Sequence, residues 1–392
     1  MTPTTIRRWA WIHKWSSLVC TAFMLLLCVT GLPLIYHHEI DSLLGNGVQA
    51  PRMAADAPRA DLDRVIAAGR ALYPGKMVMY LSQDADQPDI WNLTLGDNPT
   101  DEAYKSIAID ARSARVLAQP SMEGSFIGVV HHLHVDLYAG LWGTLFLGLM
   151  GVLLVLAIVS GVVLYAPFMR KLDFGDVRRA RGPRLRWLDL HNLLGIVTLA
   201  WALVVGATGV INTWATPLLQ YWQYTEMAEM TAPYKNLPPP TQLGSMQASL
   251  AHAVAAAPGM KIGFVAFPGT PFSSAHHYGI FMRGDTALTS RLYRPVLVDA
   301  QTTQITAQRA LPWYLTALLI SQPLHFGDYG GAAMQLLWAL LDVATLLVLG
   351  SGLYLWLKRG SAARPAAVAA VSAPTSTPEE ERTAFAHDGG PA

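Results

Sequence analysis

Cysteine is scarce in this chain of 392 residues: Cys20 and Cys28 are the only two, and both lie inside one apolar run. Two cysteines in the same apolar run cannot cross-link the hydrophilic parts of the chain. Because no C-x-x-C-H sequence occurs, a covalently attached c-type haem is excluded. We interpret both cysteines as small residues buried in lipid.

Several catalytic motifs are also missing. No G-x-G-x-x-G follows a predicted strand, and neither a P-loop nor H-E-x-x-H is present. The sequence therefore indicates no nicotinamide, flavin or ATP site. Electrons for a redox reaction would have to come from another molecule, either membrane quinol or a cytoplasmic reductase.

Charged residues make up only 14% of the chain, hydrophobic residues make up 52%, and the mean hydropathy is +0.30. These values are too apolar for an ordinary soluble protein and too polar for a chain that lies wholly in a membrane. Four apolar runs are long enough to cross a hydrocarbon core of roughly 30 Å: 15–37, 141–166, 190–214 and 333–357. We therefore expect four transmembrane helices and an aqueous part.

Lysine and arginine predict the orientation of these spans. Outside the hydrophilic blocks they cluster before the first span, between the second and third, and after the fourth: Arg7, Arg8, Lys14, Arg170, Lys171, Arg178, Arg179, Arg181, Arg184, Arg186, Lys358 and Arg359. By the positive-inside rule, we expect both termini in the cytoplasm and both hydrophilic blocks on the other side. No small-residue cleavage site follows the first span, which argues against a removed signal peptide.

The two halves of the chain repeat each other. The stretch LHVDLYAG begins at Leu133 and LHFGDYGG begins at Leu324, and in both copies a Ser-Gly pair follows at the same distance. The first and third spans begin with RWAWIHKWSS and RWLDLHNLLG, and each reaches a Thr-Gly pair at the same distance past its histidine. We infer an internal duplication.

The hydrophilic blocks repeat as well. A predicted helix (ADLDRVIAAGRALYPG, then GSMQASLAHAVAAAPG) leads into predicted strands in each block. Both blocks end in a strand pair around an Asp turn, SIAIDARSARVLAQ and PVLVDAQTTQITAQ. The fold class that follows is an α+β membrane protein with a four-helix bundle and two small α+β domains.

The predicted segments can be given in chain order. They are a cytoplasmic N-terminus (1–14), span one (15–37), domain one (38–130), span two with a histidine-rich lead-in (131–166), a basic loop (167–189), span three (190–214), domain two (215–323), span four with its lead-in (324–357) and a disordered cytoplasmic tail (358–392).

This order of segments resembles the PepSY-associated transmembrane family of bacterial inner-membrane proteins over roughly residues 6–360. The histidines at span ends, the Thr-Gly and Ser-Gly pairs and the helix-then-strands domains carry the resemblance, which is greatest to siderophore-iron reductases. It implies PepSY-like periplasmic domains, b-type haem in the bundle and reduction of ferric siderophore in the periplasm. No nucleic-acid partner is expected.

Histidines at the edge of a membrane helix are costly and often serve as ligands. His13 and His191 begin spans one and three on the predicted cytoplasmic side, and His134 and His325 precede spans two and four on the other. Two facing imidazoles suit a six-coordinate haem iron, so the pairs predict two haems. For the periplasmic haem, the alternative ligands are His38, His131 and His132.

Other residues are candidates for the surroundings of these sites. Ser17 and Gly195 lie four positions after their histidines and would leave room for a porphyrin. Arg8 and Arg186 could pair with haem propionates or with lipid phosphate.

Two stretches are candidates for contacting the substrate, QYWQYTEMAEM and SSAHHYG. They offer Tyr221, Trp222, Glu226, His276 and His277. The alternatives are an amphipathic helix packed on the domain for the first stretch and an edge strand for the second.

Two classes of function follow. The first is a haem-dependent oxidoreductase that reduces ferric siderophore, either directly or by feeding a separate periplasmic reductase. The second is a scaffold without redox activity, whose paired domains bind a siderophore or a partner and whose histidines are structural.

Overall fold

The computed structural model describes residues 2–54, 57–84, 87–101, 103–121, 123–166, 175–178, 182–286 and 289–371, with side chains up to residue 358. In chain order the helices are α1 (Pro3–Ile35), α2 (His37–Leu43), α3 (Leu62–Leu72), α4 (Phe126–Val135), α5 (Gly140–Tyr165), α6 (Pro183–Val197), α7 (Leu199–Thr213), α8 (Ala215–Trp222), α9 (Ala228–Thr231), α10 (Met246–Ala256), α11 (Trp313–Phe326) and α12 (Gly331–Val371). A π-helical turn (Gln223–Met227) joins α8 to α9.

Three helices are long and apolar enough to cross a membrane: α1, α5 and the helix that ends the described chain. Helices α6 and α7 pass the same test only together, and they are bent by 66° at Thr198. The described residues therefore contain three such helices, or four if the bent pair forms one span, and the chain is a membrane protein.

The apolar helices pack into one bundle. Helix α1 lies against α5 and α12, α5 lies against α7, and α6 lies against α12. Two short helices join this bundle, because α4 packs on α1 and α11 packs on α7. We call the end of the bundle where α1 leads into α2 the sheet end, and the end where α6 begins the loop end.

The repeated stretches LHVDLYAG and LHFGDYGG form the turns that lead from these short helices into the spans. In each stretch the glycine six residues after the histidine is the first residue of the next long helix. Gly140 has φ +56° and Gly331 has φ +59°, a region that favours glycine because it has no Cβ. His134 and His325 therefore belong to α4 and α11, and the predicted spans two and four begin after them.

The strands form one sheet. They are β1 (Met77–Ser82), β2 (Ile90–Gly96), β3 (Lys105–Asp110), β4 (Val116–Ala118), β5 (Met260–Ala266), β6 (His277–Gly284), β7 (Tyr293–Asp299) and β8 (Ile305–Gln308). Their order is β4-β3-β2-β1-β5-β6-β7-β8, and all neighbours are antiparallel.

The sequence predicts two domains, whereas the structure joins their strands edge to edge. Strand β1 pairs with β5, so that Tyr80 lies opposite Ala266 and Ser82 opposite Phe264. Pairing satisfies the backbone groups that two separate sheets would leave exposed at these edges. On one face, α3 and α10 cover a single hydrophobic core that draws residues from both halves. The Asp63 carboxylate links the two helices by accepting a hydrogen bond from the backbone N–H of Met246.

The opposite face of the sheet carries the connection to the bundle. Trp222 and Leu315 pack with Phe281 and Leu297, which come from β6 and β7. Because Leu315 is on α11, the first part of that helix rests on the sheet while its end carries His325. Helix α11 thus connects the sheet to His325, one of the candidate ligands.

Three boundaries differ from those predicted. Helix α1 begins at Pro3, because the Thr2 side chain caps it by accepting from the N–H of Thr5, so His13 lies within the helix rather than before it. Helix α6 already begins at Pro183, inside the predicted loop. The predicted disordered tail is helical up to Val371, in keeping with the high helix propensity of alanine; residues 372–392 lie outside the described part of the chain.

Candidate functional site

Four histidines in the bundle share one local environment. In each case Nδ1 of the ring faces a main-chain carbonyl oxygen and, three residues later on the same helix, a Ser or Thr hydroxyl. For His13 the Nδ1 atom lies 2.9 Å from Ala157 O and 3.3 Å from Ser160 Oγ, and for His191 it lies 3.0 Å from Val348 O and 3.1 Å from Ser351 Oγ. For His325 it lies 3.0 Å from Val205 O and 3.4 Å from Thr208 Oγ1. For His134 it lies 2.9 Å from Thr30 Oγ1. For His134 the carbonyl is that of Leu27.

A glycine follows each of these hydroxyl residues and makes room for the ring. A Cβ at the glycine would lie within van der Waals or tighter range of the histidine Cε1: 3.2 Å for Gly161 and His13, 3.3 Å for Gly352 and His191, 3.4 Å for Gly31 and His134, and 3.0 Å for Gly209 and His325. Each Ser-Gly or Thr-Gly pair therefore forms the surface against which one of the four imidazoles packs.

These contacts determine the tautomer of each ring. A carbonyl oxygen can only accept, so Nδ1 carries the proton and donates it. The hydroxyls donate within their own helices, as Thr30 does to Leu26 O at 2.8 Å and Ser160 to Leu156 O at 2.7 Å, so they present lone pairs to Nδ1. Nε2 accepts no hydrogen bond from any residue that the structure describes and keeps its lone pair, as metal-bound histidines do.

At the sheet end, His134 and His325 face each other. Their ring centres are 6.3 Å apart and their planes are inclined by 62°. A metal bond of about 2 Å on each side, plus about 1 Å from each Nε2 to its ring centre, separates two axial imidazoles by about 6 Å. The observed distance fits one metal ion between the two rings.

At the loop end, His13 and His191 are carried by α1 and α6, which both pack against α12. The residues predicted to leave space beside these histidines are Ser17 and Gly195. The Ser17 hydroxyl turns back onto its own helix by donating to His13 O at 2.5 Å, and no atom lies within 4 Å of the Cβ position at Gly195.

The two pairs are well separated along the bundle. His13 and Thr30, which contacts the second pair, are 17 residues apart on α1. At 1.5 Å per residue this spacing is about 25 Å, most of a hydrocarbon core of roughly 30 Å. One pair thus lies towards each face of the membrane.

This donor set fits haem. Haem iron has four porphyrin nitrogens and needs only two axial ligands, which facing imidazoles with free Nε2 atoms provide. Each half of the chain orients two histidines, and each proposed pair takes one histidine from each half. His13 with His191 would hold one haem, and His134 with His325 would hold the other.

The alternative ligands lie outside this arrangement. His131 and His132 are exposed on α4, where His132 approaches Asp136 at 3.2 Å and stacks on Tyr138. His38 stacks on His37 with ring centres 4.0 Å apart. These side chains form a histidine-rich surface beside the sheet-end pair.

The residues proposed for propionates and substrate are scattered. Arg8 and Arg186 are exposed on α1 and α6. Tyr221 is exposed and lies beside Tyr314, and Glu226 is half-buried. Trp222 is only 1% exposed, because it fills the core beneath the sheet. The predicted role of Trp222 in contacting substrate was therefore wrong, and the amphipathic-helix interpretation describes this stretch.

The stretch SSAHHYG is not an edge strand, because β6 has neighbours on both sides. His277 is fully buried, its Nδ1 lies 2.6 Å from Ser274 Oγ, and its Nε2 has no partner among the described residues. Burial lowers the pKa of His277 to about 4, so this ring is neutral at physiological pH. It cannot touch a substrate at the surface, whereas His276 remains partly exposed.

Sequence reasoning missed the role of the Ser-Gly and Thr-Gly pairs. They stood out only as markers of the repeat, since their distance from the histidines in sequence gives no sign of contact. The available signal was that every candidate ligand has one such pair in its own half of the chain.

Comparison with known proteins agrees with this architecture. The model of the PepSY-associated TM region matches residues 10–359. A relative in Pseudomonas aeruginosa, uncharacterized protein PA4219, is 31% identical over 260 residues, which cover 60% of this chain and 64% of the relative. Because the family model spans nearly all of the described residues, the chain belongs to the PepSY-associated transmembrane family.

Proposed function

We propose that this protein is an inner-membrane b-type haem protein that carries electrons across the membrane and reduces a ferric siderophore in the periplasm. The observation that carries the proposal is the set of four imidazoles, each with Nδ1 bonded to a carbonyl and Nε2 free, two of which, His134 and His325, have ring centres 6.3 Å apart. A structural histidine needs no such uniform orientation in four places.

Haem bound at the two pairs would supply one-electron transfer through a low-spin iron. The chain itself holds the ligands and sets their chemistry. A hydrogen bond from Nδ1 to a carbonyl raises the basicity of Nε2 and prevents the ring from rotating. The apolar helices around the pairs exclude water, which keeps the electron path separate from both aqueous sides.

The substrate side is assigned from charge. Arginines and lysines flank the loop end, so the positive-inside rule places that end in the cytoplasm and the sheet in the periplasm. The His134 and His325 pair would then be the donor to an external substrate. Hydroxamate siderophores such as ferrioxamine bind Fe³⁺ through hard oxygen ligands, and reduction to softer Fe²⁺ weakens that binding, so transfer of one electron releases the iron.

The electron donor lies outside the chain. A membrane quinol or a cytoplasmic reductase could reduce the loop-end pair, and the basic residues there offer a docking surface for an acidic partner. Membrane lipid is the other partner of the bundle.

Two alternatives make different predictions. A scaffold that binds a siderophore or a partner without redox activity would contain no haem. A haem subunit that feeds a separate periplasmic reductase would contain haem but would not be oxidised by an isolated ferric siderophore.

The first experiment is an optical spectrum of the purified protein in detergent, recorded oxidised, reduced with dithionite, and after addition of excess ferrioxamine B. Reduced b-type bands that disappear on addition of the siderophore would support the reductase. Bands that persist would favour the haem subunit, and a protein without haem bands would leave the scaffold. A His134→Ala variant controls for direct reduction of the siderophore by residual dithionite, since it should lose siderophore-driven reoxidation.

A further inference from the structure

A carboxylic acid lies inside the membrane-spanning part of α12. Asp342 is only 6% exposed, and its Oδ2 atom has no hydrogen-bond partner among the described residues. A buried, unpaired carboxylate costs several kcal/mol. An acid within a membrane helix is therefore retained for a function in most cases.

The position of Asp342 relates it to the candidate haem ligands. Helices α1 and α12 pack together, and Nε2 of Gln335 donates to Ile35 O at 3.3 Å. Asp342 lies seven residues after Gln335 and Cys28 lies seven residues before Ile35, so Asp342 and Cys28 lie at about the same level of this helix pair. Cys28 is next to Leu27, whose carbonyl faces His134, and two residues before Thr30, whose hydroxyl contacts the same ring. Two residues of helix correspond to about 3 Å of rise, so Asp342 lies near the level of the sheet-end pair.

The charged and titratable groups around Asp342 do not neutralise it. On α1, Cys28 lies at its level. His191 of α6 contacts Val348 and Ser351, which follow Asp342 by six and nine residues on α12. Asp328 and Tyr329 precede Asp342 by at least thirteen residues, and Asp328 pairs with Arg291. No Lys or Arg among the described residues forms an ion pair with Asp342. On α12 itself, the Thr345 hydroxyl donates to Leu341 O at 2.9 Å and therefore does not serve the carboxylate.

We propose that Asp342 is a redox-linked proton site, which binds one proton when the sheet-end pair's haem gains an electron. This inference rests on the proposed function. Ferric haem with two neutral imidazoles carries one net positive charge at the iron and porphyrin core, which stabilises a nearby carboxylate across a medium of low dielectric. Reduction removes that charge, and the carboxylate then gains more by taking up a proton.

The step balances in charge and atoms. With haem held by His134 and His325, one electron from the external donor would reduce Fe³⁺ to Fe²⁺, and one proton from water would form the O–H bond on the Asp342 carboxyl. When the electron passes to the ferric siderophore, the iron of the siderophore is reduced and the proton leaves. The buried region therefore keeps the same net charge throughout the cycle.

The test is a spectroelectrochemical titration of the haems at a series of pH values, which needs no substrate. Proton uptake coupled one to one with the electron makes reduction of one haem up to tenfold less favourable per pH unit, equivalent to about 59 mV for a one-electron couple. Asp342→Asn should abolish this dependence, whereas Asp342→Glu should retain it. Thr345→Val, one turn away on the same face, is the matched control and should behave as the wild type.

Each outcome decides the proposal. A pH-independent reduction in the wild type, or an unchanged dependence in Asp342→Asn, overturns the assignment of Asp342 and leaves the haem function standing. A protein without haem bands overturns both the proposed function and this inference. If Asp342→Asn does not fold, the infrared difference spectrum of the wild type and Asp342→Glu on reduction decides, because a new protonated-carboxyl band that shifts between the two is expected and its absence rejects the proposal.

Discussion

Nδ1 of His13 lies 2.9 Å from the carbonyl oxygen of Ala157, so α5 fixes the orientation of an imidazole that α1 carries. The same relationship joins α6 to α12, α4 to α1 and α11 to α7. Each half of the chain therefore sets the direction of its own two histidines through contacts within that half. Predictions follow from this arrangement and from the sheet.

Removing a histidine should remove one haem. His13→Ala or His191→Ala is expected to lose about half of the bound haem, because one axial ligand alone holds the iron weakly. His134→Ala or His325→Ala should lose the other half. Haem content per protein, measured from the reduced spectrum, checks this result.

His276→Ala is the control for these variants, since this histidine lies on the sheet and outside the bundle. Full haem content in all four ligand variants would refute the ligand assignment. Normal haem with lost siderophore reduction would instead give the altered residue a role in substrate binding.

A side chain added at one of the glycines that contact a histidine should displace the imidazole, although the histidine itself is unchanged. A Cβ at Gly352 would lie 3.3 Å from His191 Cε1, so Gly352→Val should displace the imidazole and deplete the loop-end haem. Gly350→Val introduces the same side chain two residues away on the same helix, where no atom lies within 4 Å of the Cβ position. Haem content of the two variants is the measurement, and equal values would show that Gly352 does not seat the ring.

The Ser and Thr hydroxyls that contact the histidine Nδ1 atoms should strengthen metal binding by the histidines without being required to hold the rings in place. Thr30→Val removes the 2.9 Å contact to His134 while leaving the Leu27 carbonyl in place. Loss of an outer contact of this kind typically weakens metal binding by about 10–100-fold. The sheet-end haem should therefore dissociate at lower concentrations of competing apo-myoglobin than in the wild type.

Thr144→Val tests whether the loss of any hydroxyl in the bundle weakens haem binding, even when that hydroxyl contacts no histidine. The Thr144 hydroxyl donates to Gly140 O at 3.2 Å and contacts no histidine. Haem retention in this variant should equal that of the wild type. If it falls as far as in Thr30→Val, the effect belongs to general loosening of the bundle.

The Asp turns should make the sheet sensitive to acid. Burial alone would raise the pKa of Asp110, but hydrogen bonds from the N–H groups of Ser113 and Arg112 outweigh it and lower the pKa. A lowered pKa means that this stabilisation is present above the unfolded pKa of about 3.9 and is lost as the pH falls through the folded value. The same argument applies to Asp299.

Asp110→Asn should therefore lower the free energy of unfolding by about 1–2 kcal/mol at neutral pH and flatten its decline in acid, since only neutral hydrogen bonds remain. Tryptophan fluorescence during denaturant unfolding at several pH values measures both effects. Asp97→Asn is the control, because Asp97 is an exposed acid paired with Lys76. If the free energy of unfolding of Asp110→Asn falls in acid as steeply as that of the wild type, the acid sensitivity does not come from Asp110.

Local sequence was sufficient for much of the fold. The predicted helices of both hydrophilic blocks occur as α3 and α10, and the predicted strands occur as β1, β3, β4, β5, β7 and β8, because alternating apolar residues and Asp turns act over short distances. The sequence did not predict β2, and it offered β6 only as an edge strand. The apolar runs and the four bundle histidines were equally visible, since burial in lipid restricts composition residue by residue.

What the sequence by itself determined is the membrane class, the family pattern and the identity of the candidate ligands. Tertiary structure alone decided that β1 pairs with β5 into one sheet, that Trp222 and His277 are buried, and that Asp342 is buried with its Oδ2 unpartnered among the described residues. It also decided that each Ser-Gly or Thr-Gly pair seats a histidine. These contacts join residues far apart in the chain, and long-range pairing depends on how complete elements pack, which no short stretch of sequence encodes.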